Sequence, residues 1–338
     1  MKVLFAGSPA AARITLQYLY EKQSEYDFSI VGVLSNPPTA KGRHKTLTPT
    51  PVAEFAEEKN IPVITPEHLD ESARNAIQPL GADFLISFAY GHIFGPKFLE
   101  MFSLGGINLH PSLLPKYRGC TPVTAAILNR DKQTAVTVQT LSLKMDEGNI
   151  LAQTLVPLCG TETGESLLNY CASEGAKLIC EVIKETCKEK KLPLGKVQHG
   201  EPSYTGIITK EDCKINWTES AQVIEAKIRA FYPEPACWCV YDGQPLKILA
   251  AKAISTDTMS CSSDTTTPSD LSNSSGSQIA ANNAVAGTVL NYEKTTGINI
   301  KTGDGVLCVQ QLQKQGKNKM DYKDFINGAR DFIGTVLQ

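Results

Sequence analysis

The chain has 338 residues, 42% of them hydrophobic and 20% charged, which describes an ordinary soluble globular protein with room for two domains. Its 33 basic side chains stand against 35 acidic ones, a formal net charge of -2, so bulk charge does not announce a nucleic-acid binder and a local patch has to carry that case. The 10 cysteines include no CxxC pair, which speaks against a zinc site, and a chain this size with this apolar content needs no disulfide staples; buried free thiols are expected.

Residues 3–6 read as a first strand. Lys2 and this apolar run could be mistaken for a signal peptide, but Gly7-Ser8-Pro9 breaks the run and a helical pattern containing Arg13 follows. No apolar run is long enough for a membrane span, so a cytoplasmic protein without membrane contact is expected. Gly7-Ser8-Pro9 sits where a dinucleotide fold carries GxGxxG, yet only one of those glycines is present, which argues against NAD binding. A helix over 10–20, a strand over 30–34, a long loop, a helix over 52–59 and a short strand over 61–64 come next. Then follow a helix over 67–77, a buried-type strand over 84–89, a strand over 107–110 and a helix over 121–129. Strands over 135–141 and 150–156 precede a helix over 165–190. Strands separated by helices predict a Rossmann-like α/β domain, 1–190, with a mainly parallel sheet covered on both faces.

Residues 191–207, with Pro193, Gly195, Gly200, Pro202 and Gly206, read as a linker. The character then changes. A helix over 221–230 is followed by short strands over 237–241, 246–251, 287–290, 297–301 and 306–312, separated by turns such as Asp242-Gly243 and Asp304-Gly305. This pattern predicts a small barrel-like second domain, 208–338. Residues 255–283 interrupt it with Ser, Thr, Asn and Asp, Met259, Leu271 and Ile279 being the larger apolar residues. Such a segment buries too little to offset its ordering entropy and is expected to be a disordered insertion.

The chemistry concentrates in Asn108-Leu109-His110-Pro111-Ser112-Leu113-Leu114-Pro115, followed by Tyr117-Arg118-Gly119. Strand side chains alternate with period two, so Asn108 and His110 share a face at the end of a strand, where open α/β sheets bind their ligands. An amide donor beside an imidazole suits acyl transfer: one group polarises a carbonyl, the other handles protons.

With Asp146 further on, Asn108, His110 and the Ser112-Leu113-Leu114-Pro115 turn resemble the active-site pattern of the 10-formyltetrahydrofolate-dependent formyltransferases, over residues 1 to 336 with one insertion. The resemblance implies an OB-like fold for the second domain, and transfer of a formyl group from 10-formyltetrahydrofolate, a diffusible cosubstrate, to an amine. Asn108, His110 and Asp146 would be catalytic, and no metal is called for. Positioned donors for the tetrahedral oxyanion are worth roughly 2.7–4 kcal/mol each, and Asn108 and His110 are the candidates. A carboxylate at Asp146 would orient the imidazole, raise its pKa and relay the amine's proton through water. Where the family commonly has Thr-Gly-Asp, this chain has Glu147-Gly148-Asn149, so position 149 is given no role.

For the folate, the resemblance implies a pterin pocket made by the loop containing Phe88, Tyr90, Gly91 and Ile93, by Ser112, Leu113, Leu114 and Pro115, and by Leu141 as a wall. His92 replaces a usually apolar family position and is assigned nothing. The loop over 36–45 carries Lys41, Arg43 and Lys45. In the branch of the family whose acceptor is initiator methionyl-tRNA, the matching loop enters the acceptor end, and Arg43 aligns with the arginine that reads the weak first pair. Lys314, Lys317 and Lys319 would add backbone contacts from the second domain. No obligatory protein partner is evident. One competing reading is a sibling that formylates an amino sugar or hydrolyses the formyl-folate, which should lack the loop pattern over 41–50. The other is a non-catalytic RNA-binding protein, against which the intact trio argues.

Overall fold

The computed structural model describes residues 1–41, 46–254 and 284–338, apart from the side chains of Lys41 and Arg330. Up to residue 207 the elements are β1 (Lys2–Ala6), α1 (Ala10–Lys22), β2 (Ser29–Leu34), β3 (Thr39–Lys41), β4 (Thr46–Thr48), α2 (Pro51–Glu58), β5 (Val63–Ile64) and α3 (Glu71–Ile77). They continue with β6 (Phe84–Ser87), α4 (Pro96–Leu99), β7 (Gly106–His110), β8 (Arg118–Gly119), α5 (Pro122–Leu128), β9 (Gln133–Thr140), β10 (Ile150–Pro157), α6 (Gly164–Glu189) and β11 (Tyr204–Thr205). The chain forms two compact units, one of Met1–Ala126, Asp131–Cys159 and Ser166–Ile207, the other of Ile127–Arg130, Gly160–Glu165 and Ile208–Gln338.

The first unit is organised by a seven-stranded sheet in the order β10-β9-β7-β6-β1-β2-β5. β1 runs parallel to β2 and β6, β2 to β5, and β6 to β7, while β9 and β10 add an antiparallel edge. β1 and β6 are apolar runs with nearly every residue buried, as strands covered on both faces require. The order reverses between β1 and β6, and in open α/β sheets ligands bind outside the carboxyl ends of the strands at such a switch point.

Local chemistry sets the helix starts. The Thr50 side chain accepts from Ala53 N at 3.1 Å, with Pro51 at the first helical position of α2. Asp70 accepts from Ala73 N at 3.0 Å and starts α3 at Glu71, four residues later than the apolar periodicity predicts. α6 approaches β7 at Gly175, where an added Cβ would lie 2.4 Å from the Leu109 methyls. Leu109 therefore packs under the helix, and Asn108 and His110 face the other way.

The segment expected as a linker, 191–207, lies on the first unit. β11 pairs with β8, Arg118 N donates to Ser203 O at 2.8 Å, and Tyr117 N donates to Ser203 Oγ at 2.9 Å. The loop after β2 carries the β3–β4 hairpin. Both pairings, and α4, are too short to leave a periodic signal.

In the second unit Ser220 caps α7 (Ala221–Ala230). The strands β12 (Cys237–Tyr241), β13 (Gln244–Ile254), β14 (Val289–Glu293), β15 (Gly297–Lys301) and β16 (Val306–Lys314) form an antiparallel sheet in the order β12-β13-β16-β15-β14. β17 (Met320–Asp321) pairs with β16, and α8 (Tyr322–Asn327) follows. Ile248, Ile298, Ile300, Leu307, Val309 and Leu312 fill its core. The insertion expected over 255–283 lies outside the described residues.

The thiols of Cys171, Cys180 and Cys239 are buried, and burial pushes each up to about 12, which keeps them protonated and inert.

Candidate active site

β7 delivers Asn108 and His110 at its carboxyl end. In the antiparallel pairing with β9, Asn108 stands opposite Gln139 and His110 opposite Thr137. Asp146 comes from the loop between β9 and β10. Its backbone is left-handed, with φ +54°, a conformation Asp tolerates better than most residues. Two residues on, the loop presses against β9 so closely that a Cβ at Gly148 would sit 1.7 Å from Thr140 O. Only glycine permits that approach.

The loop brings Asp146 to Asn108 and His110. Asp146 Oδ1 accepts from Gln139 Nε2 at 2.8 Å and from Asn108 Nδ2 at 3.4 Å, and lies 3.5 Å from His110 Nδ1. Asp146 Oδ2 accepts from Gly119 N at 2.8 Å. On the far side of the ring, His110 Nε2 donates to Tyr117 O at 2.8 Å. The imidazole is buried, with its side chain 5% exposed, and the carboxylate beside it is 11% exposed.

Burial holds the His110 pKa below its ordinary value of 6.5, although Asp146 and the Tyr117 carbonyl both pull it upward. Asp146 acts in the expected upward direction, but desolvation, which the sequence does not show, outweighs it. The ring is neutral near pH 7 with its proton on Nε2, because a carbonyl only accepts. That proton is committed to Tyr117, so His110 is not a free oxyanion donor. Asn108 keeps one amide hydrogen with no partner among the described residues, and the lone pair of His110 Nδ1 faces the Asp146 carboxylate.

Of the residues expected around a folate, Phe88 and Tyr90 are 1% and 2% exposed, whereas Gly91 is open and Ile93 is 66% exposed. Tyr90 packs in a core cluster with Phe94, Phe98 and Phe102, and Leu141 lies against that cluster. The Tyr90 hydroxyl is buried without a hydrogen-bond partner among the described residues, and burial pushes its pKa up to about 12. Asn36 Nδ2 donates to Tyr90 O at 3.2 Å, which turns Asn36 Oδ1 toward His92 Nε2 at 2.9 Å. His92, assigned nothing from sequence, thus braces this loop. In the turn after β7, Ser112 Oγ donates to Lys116 O at 2.6 Å and Thr137 Oγ1 donates to Ser112 O at 2.6 Å. Leu114 and Pro115 are buried and Leu113 is half-buried. Ser112 is spent on shaping the turn.

Arg43 and Lys45 lie outside the described residues, as does the Lys41 side chain; the Lys41 backbone is in β3. In the second unit Lys317 and Lys319 are exposed between β16 and β17. Lys314 sits with Nζ 5.1 Å from the Phe325 ring centre and 5.9 Å from that of Tyr241.

Three contributors escape the sequence reading. Gln139 is 1% exposed, and its one signal is a glutamine inside the Val-rich run of β9. The Tyr117 carbonyl and the Gly119 amide are main-chain groups, which leave no residue-type signal.

An amide donor beside a buried imidazole–carboxylate pair, at the carboxyl edge of a mostly parallel sheet, has the groups that a group-transfer site uses, a donor for a carbonyl oxygen and an acceptor for a proton. Residues 1–183 match the formyl transferase family model, and residues 207–330 match the model of the formyl transferase C-terminal domain. The chain belongs to the formyl transferase family. It is 40% identical to the methionyl-tRNA formyltransferase of Treponema denticola, over 98% of each chain. It is 36% identical to that of Pseudoalteromonas translucida, over all of this chain and 97% of the relative. Among solved structures, HypX from Aquifex aeolicus in complex with tetrahydrofolic acid superposes with a TM-score of 0.64 at 15% identity, over 98% of this chain and 48% of HypX, a likeness of fold.

Proposed function

We propose that the protein transfers the formyl group of 10-formyltetrahydrofolate to the methionine α-amino group of initiator methionyl-tRNA, a step that prepares the tRNA for translation initiation. The observation that carries the mechanism is the meeting of Asn108, His110 and Asp146 at the end of β7. The amine nitrogen attacks the formyl carbon, and the carbonyl electrons move onto oxygen. Asn108 donates its amide hydrogen to that oxyanion. The amine loses a proton to the Asp146–His110 pair, where it rests on His110 Nδ1, between the ring and the carboxylate. The bond from the formyl carbon to the folate nitrogen then breaks, its electrons go to that nitrogen, and the proton held by the His110–Asp146 pair passes to it, which returns His110 to its neutral form. Full-length identity to methionyl-tRNA formyltransferases supports this acceptor over an amino sugar.

The folate is assigned to the crevice beside β1 and β6, with Gly91 and Ile93 presented to it and Phe88, Tyr90, Leu114, Pro115 and Leu141 backing it. Ser112 and Leu113 shape the adjoining turn. Lys41, Arg43 and Lys45 engage the acceptor end of the tRNA, and Lys314, Lys317 and Lys319 its backbone. The proposed domains are 1–190 for catalysis, with 191–207 packed onto it, and 208–338 for tRNA. No helix among the described residues is long and apolar enough to cross a membrane, and the proposed compartment is the cytoplasm, where translation supplies the charged tRNA.

The test is acceptor choice by the purified protein with 10-formyltetrahydrofolate as donor. Formylation of charged initiator methionyl-tRNA, with none of uncharged tRNA, free methionine or an amino-sugar nucleotide, is the expected result. Formylation of the sugar, or consumption of the donor without transfer, would overturn the choice of acceptor.

A further inference from the structure

The stretch after α6 carries two prolines and three glycines between 191 and 207, and by composition nothing in it points to chemistry. Yet Gln198 from that stretch reaches the catalytic loop. Its Nε2 donates to Asp146 O at 2.7 Å and Gly148 O at 2.8 Å, and lies 3.2 Å from Gln139 Oε1. Its Oε1 accepts from Arg118 Nη2 at 2.8 Å and Nε at 3.2 Å. A guanidinium only donates and main-chain carbonyls only accept, so the amide fits one way round. Arg118 is itself buried and fixed: Nη1 donates to Tyr204 Oη at 2.9 Å and Glu147 Oε1 at 3.2 Å. The next residue, Gly119, supplies the amide that holds Asp146 Oδ2. Both sides of the clamp close on one another, since β8 pairs with β11 a few residues beyond Gln198.

The loop held in this way needs holding. Asp146 occupies left-handed backbone, Lys144 and Met145 before it are exposed, and the carboxylate must stay within reach of both Asn108 and His110. Gln139 secures the carboxylate; Gln198 secures the main chain that carries it. We infer that Gln198 is a positioning residue for the transfer reaction, setting the Asp146 loop against His110 and Asn108 through the Arg118–Gln198–main-chain bridge. The inference rests on the formyl-transfer reading for its kinetic consequence, and on geometry alone for its structural one.

The rival role is a plain staple that ties the 191–207 segment to the unit. Gln198→Glu separates the two. It keeps, and charges, the partner of Arg118, so a staple survives; it replaces the donating nitrogen with an oxygen facing two carbonyls, so a positioning bridge does not. Gln198→Glu and Gln198→Ala should each lower kcat on the order of 10- to 100-fold, as small misplacements of a reacting group do. KM for folate and for tRNA should stay within about twofold. In parallel, the His110 imidazole resonances, read by NMR without substrate, should move in Gln198→Glu because the facing carboxylate has shifted. A Gln198→Glu enzyme with kcat within about twofold of wild type, or with unmoved His110 resonances, would overturn the inference. If Gln198→Ala fails to fold, Gln198→Glu alone decides. A wild-type protein that transfers no formyl group would fail the functional reading, and the resonances would still judge the bridge.

Discussion

His110 and Tyr117 are joined by a 2.8 Å hydrogen bond that fixes the imidazole tautomer. The carbonyl takes the Nε2 proton, and Nδ1 is left 3.5 Å from Asp146 Oδ1, an arrangement that becomes attractive once Nδ1 is protonated. The site is thus poised to accept a proton rather than to hold one.

This has a consequence for stability. The folded-state pKa of His110 lies below the ordinary value of 6.5, so below pH 6.5 the unfolded chain binds the proton more readily than the folded one. The contribution is fully present above the unfolded pKa and is lost as pH falls toward and through the folded pKa. Denaturant unfolding of wild type and His110→Gln between about pH 7.5 and about pH 5, a range that brackets the ordinary histidine pKa, should give a steeper loss for wild type. The difference in slope is bounded by about 1.4 kcal/mol per pH unit. Parallel curves would remove His110 from the pH dependence.

Gly148→Ala should disable the site while sparing the fold. Its Cβ would collide with a main-chain oxygen, Thr140 O at 1.7 Å, so the loop must move and carry Asp146 with it. A fall in kcat on the order of 100-fold is expected, since a misplacement near 1 Å has that effect. Turnover close to wild type would mean that the loop has another productive position.

Gly175→Ala acts on the opposite face of β7. The new methyl would lie 2.4 Å from both Leu109 Cδ atoms, and Leu109 is 1% exposed, so it has nowhere to turn. Overpacking costs about 1–3 kcal/mol, offset in part by about 1 kcal/mol of alanine helix propensity. Because Leu109 is enclosed, the upper part of that range applies, and thermal unfolding should show a net loss approaching about 2 kcal/mol. An unchanged melting temperature would mean that α6 yields without cost.

Much of this was legible in the sequence, for physical reasons that differ by residue. β7 and its two functional side chains follow from period-two alternation in Ile107-Asn108-Leu109-His110. Asp146 has no local pattern to announce it; only the resemblance carried it, because its partners lie 7 to 38 residues away in the chain. Gln198 was not legible at all. Its contacts reach back 52 residues to Asp146 and 80 to Arg118, and its surroundings read as a linker. Likewise α3 was begun too early because apolar spacing was followed where the Asp70 cap decides.

Arg43 belongs to the loop over 36–45 proposed to engage the tRNA acceptor end. Arg43→Ala should reduce discrimination between initiator and elongator tRNA by roughly 1–3 kcal/mol, the range for a guanidinium that reads a base edge. KM for the folate should be unaffected. Comparing kcat/KM for the two charged tRNAs checks it, and unchanged discrimination would remove Arg43 from recognition.

The central claim is that Asn108, His110 and Asp146 perform the transfer. Its most direct measurement is single-turnover formyl transfer by His110→Ala beside wild type, with tRNA affinity determined for both. The expected result is a rate lower by about two orders of magnitude or more, in line with loss of a general base, with tRNA binding close to wild type. A rate near that of wild type would contradict it and place the chemistry elsewhere on the β7 edge.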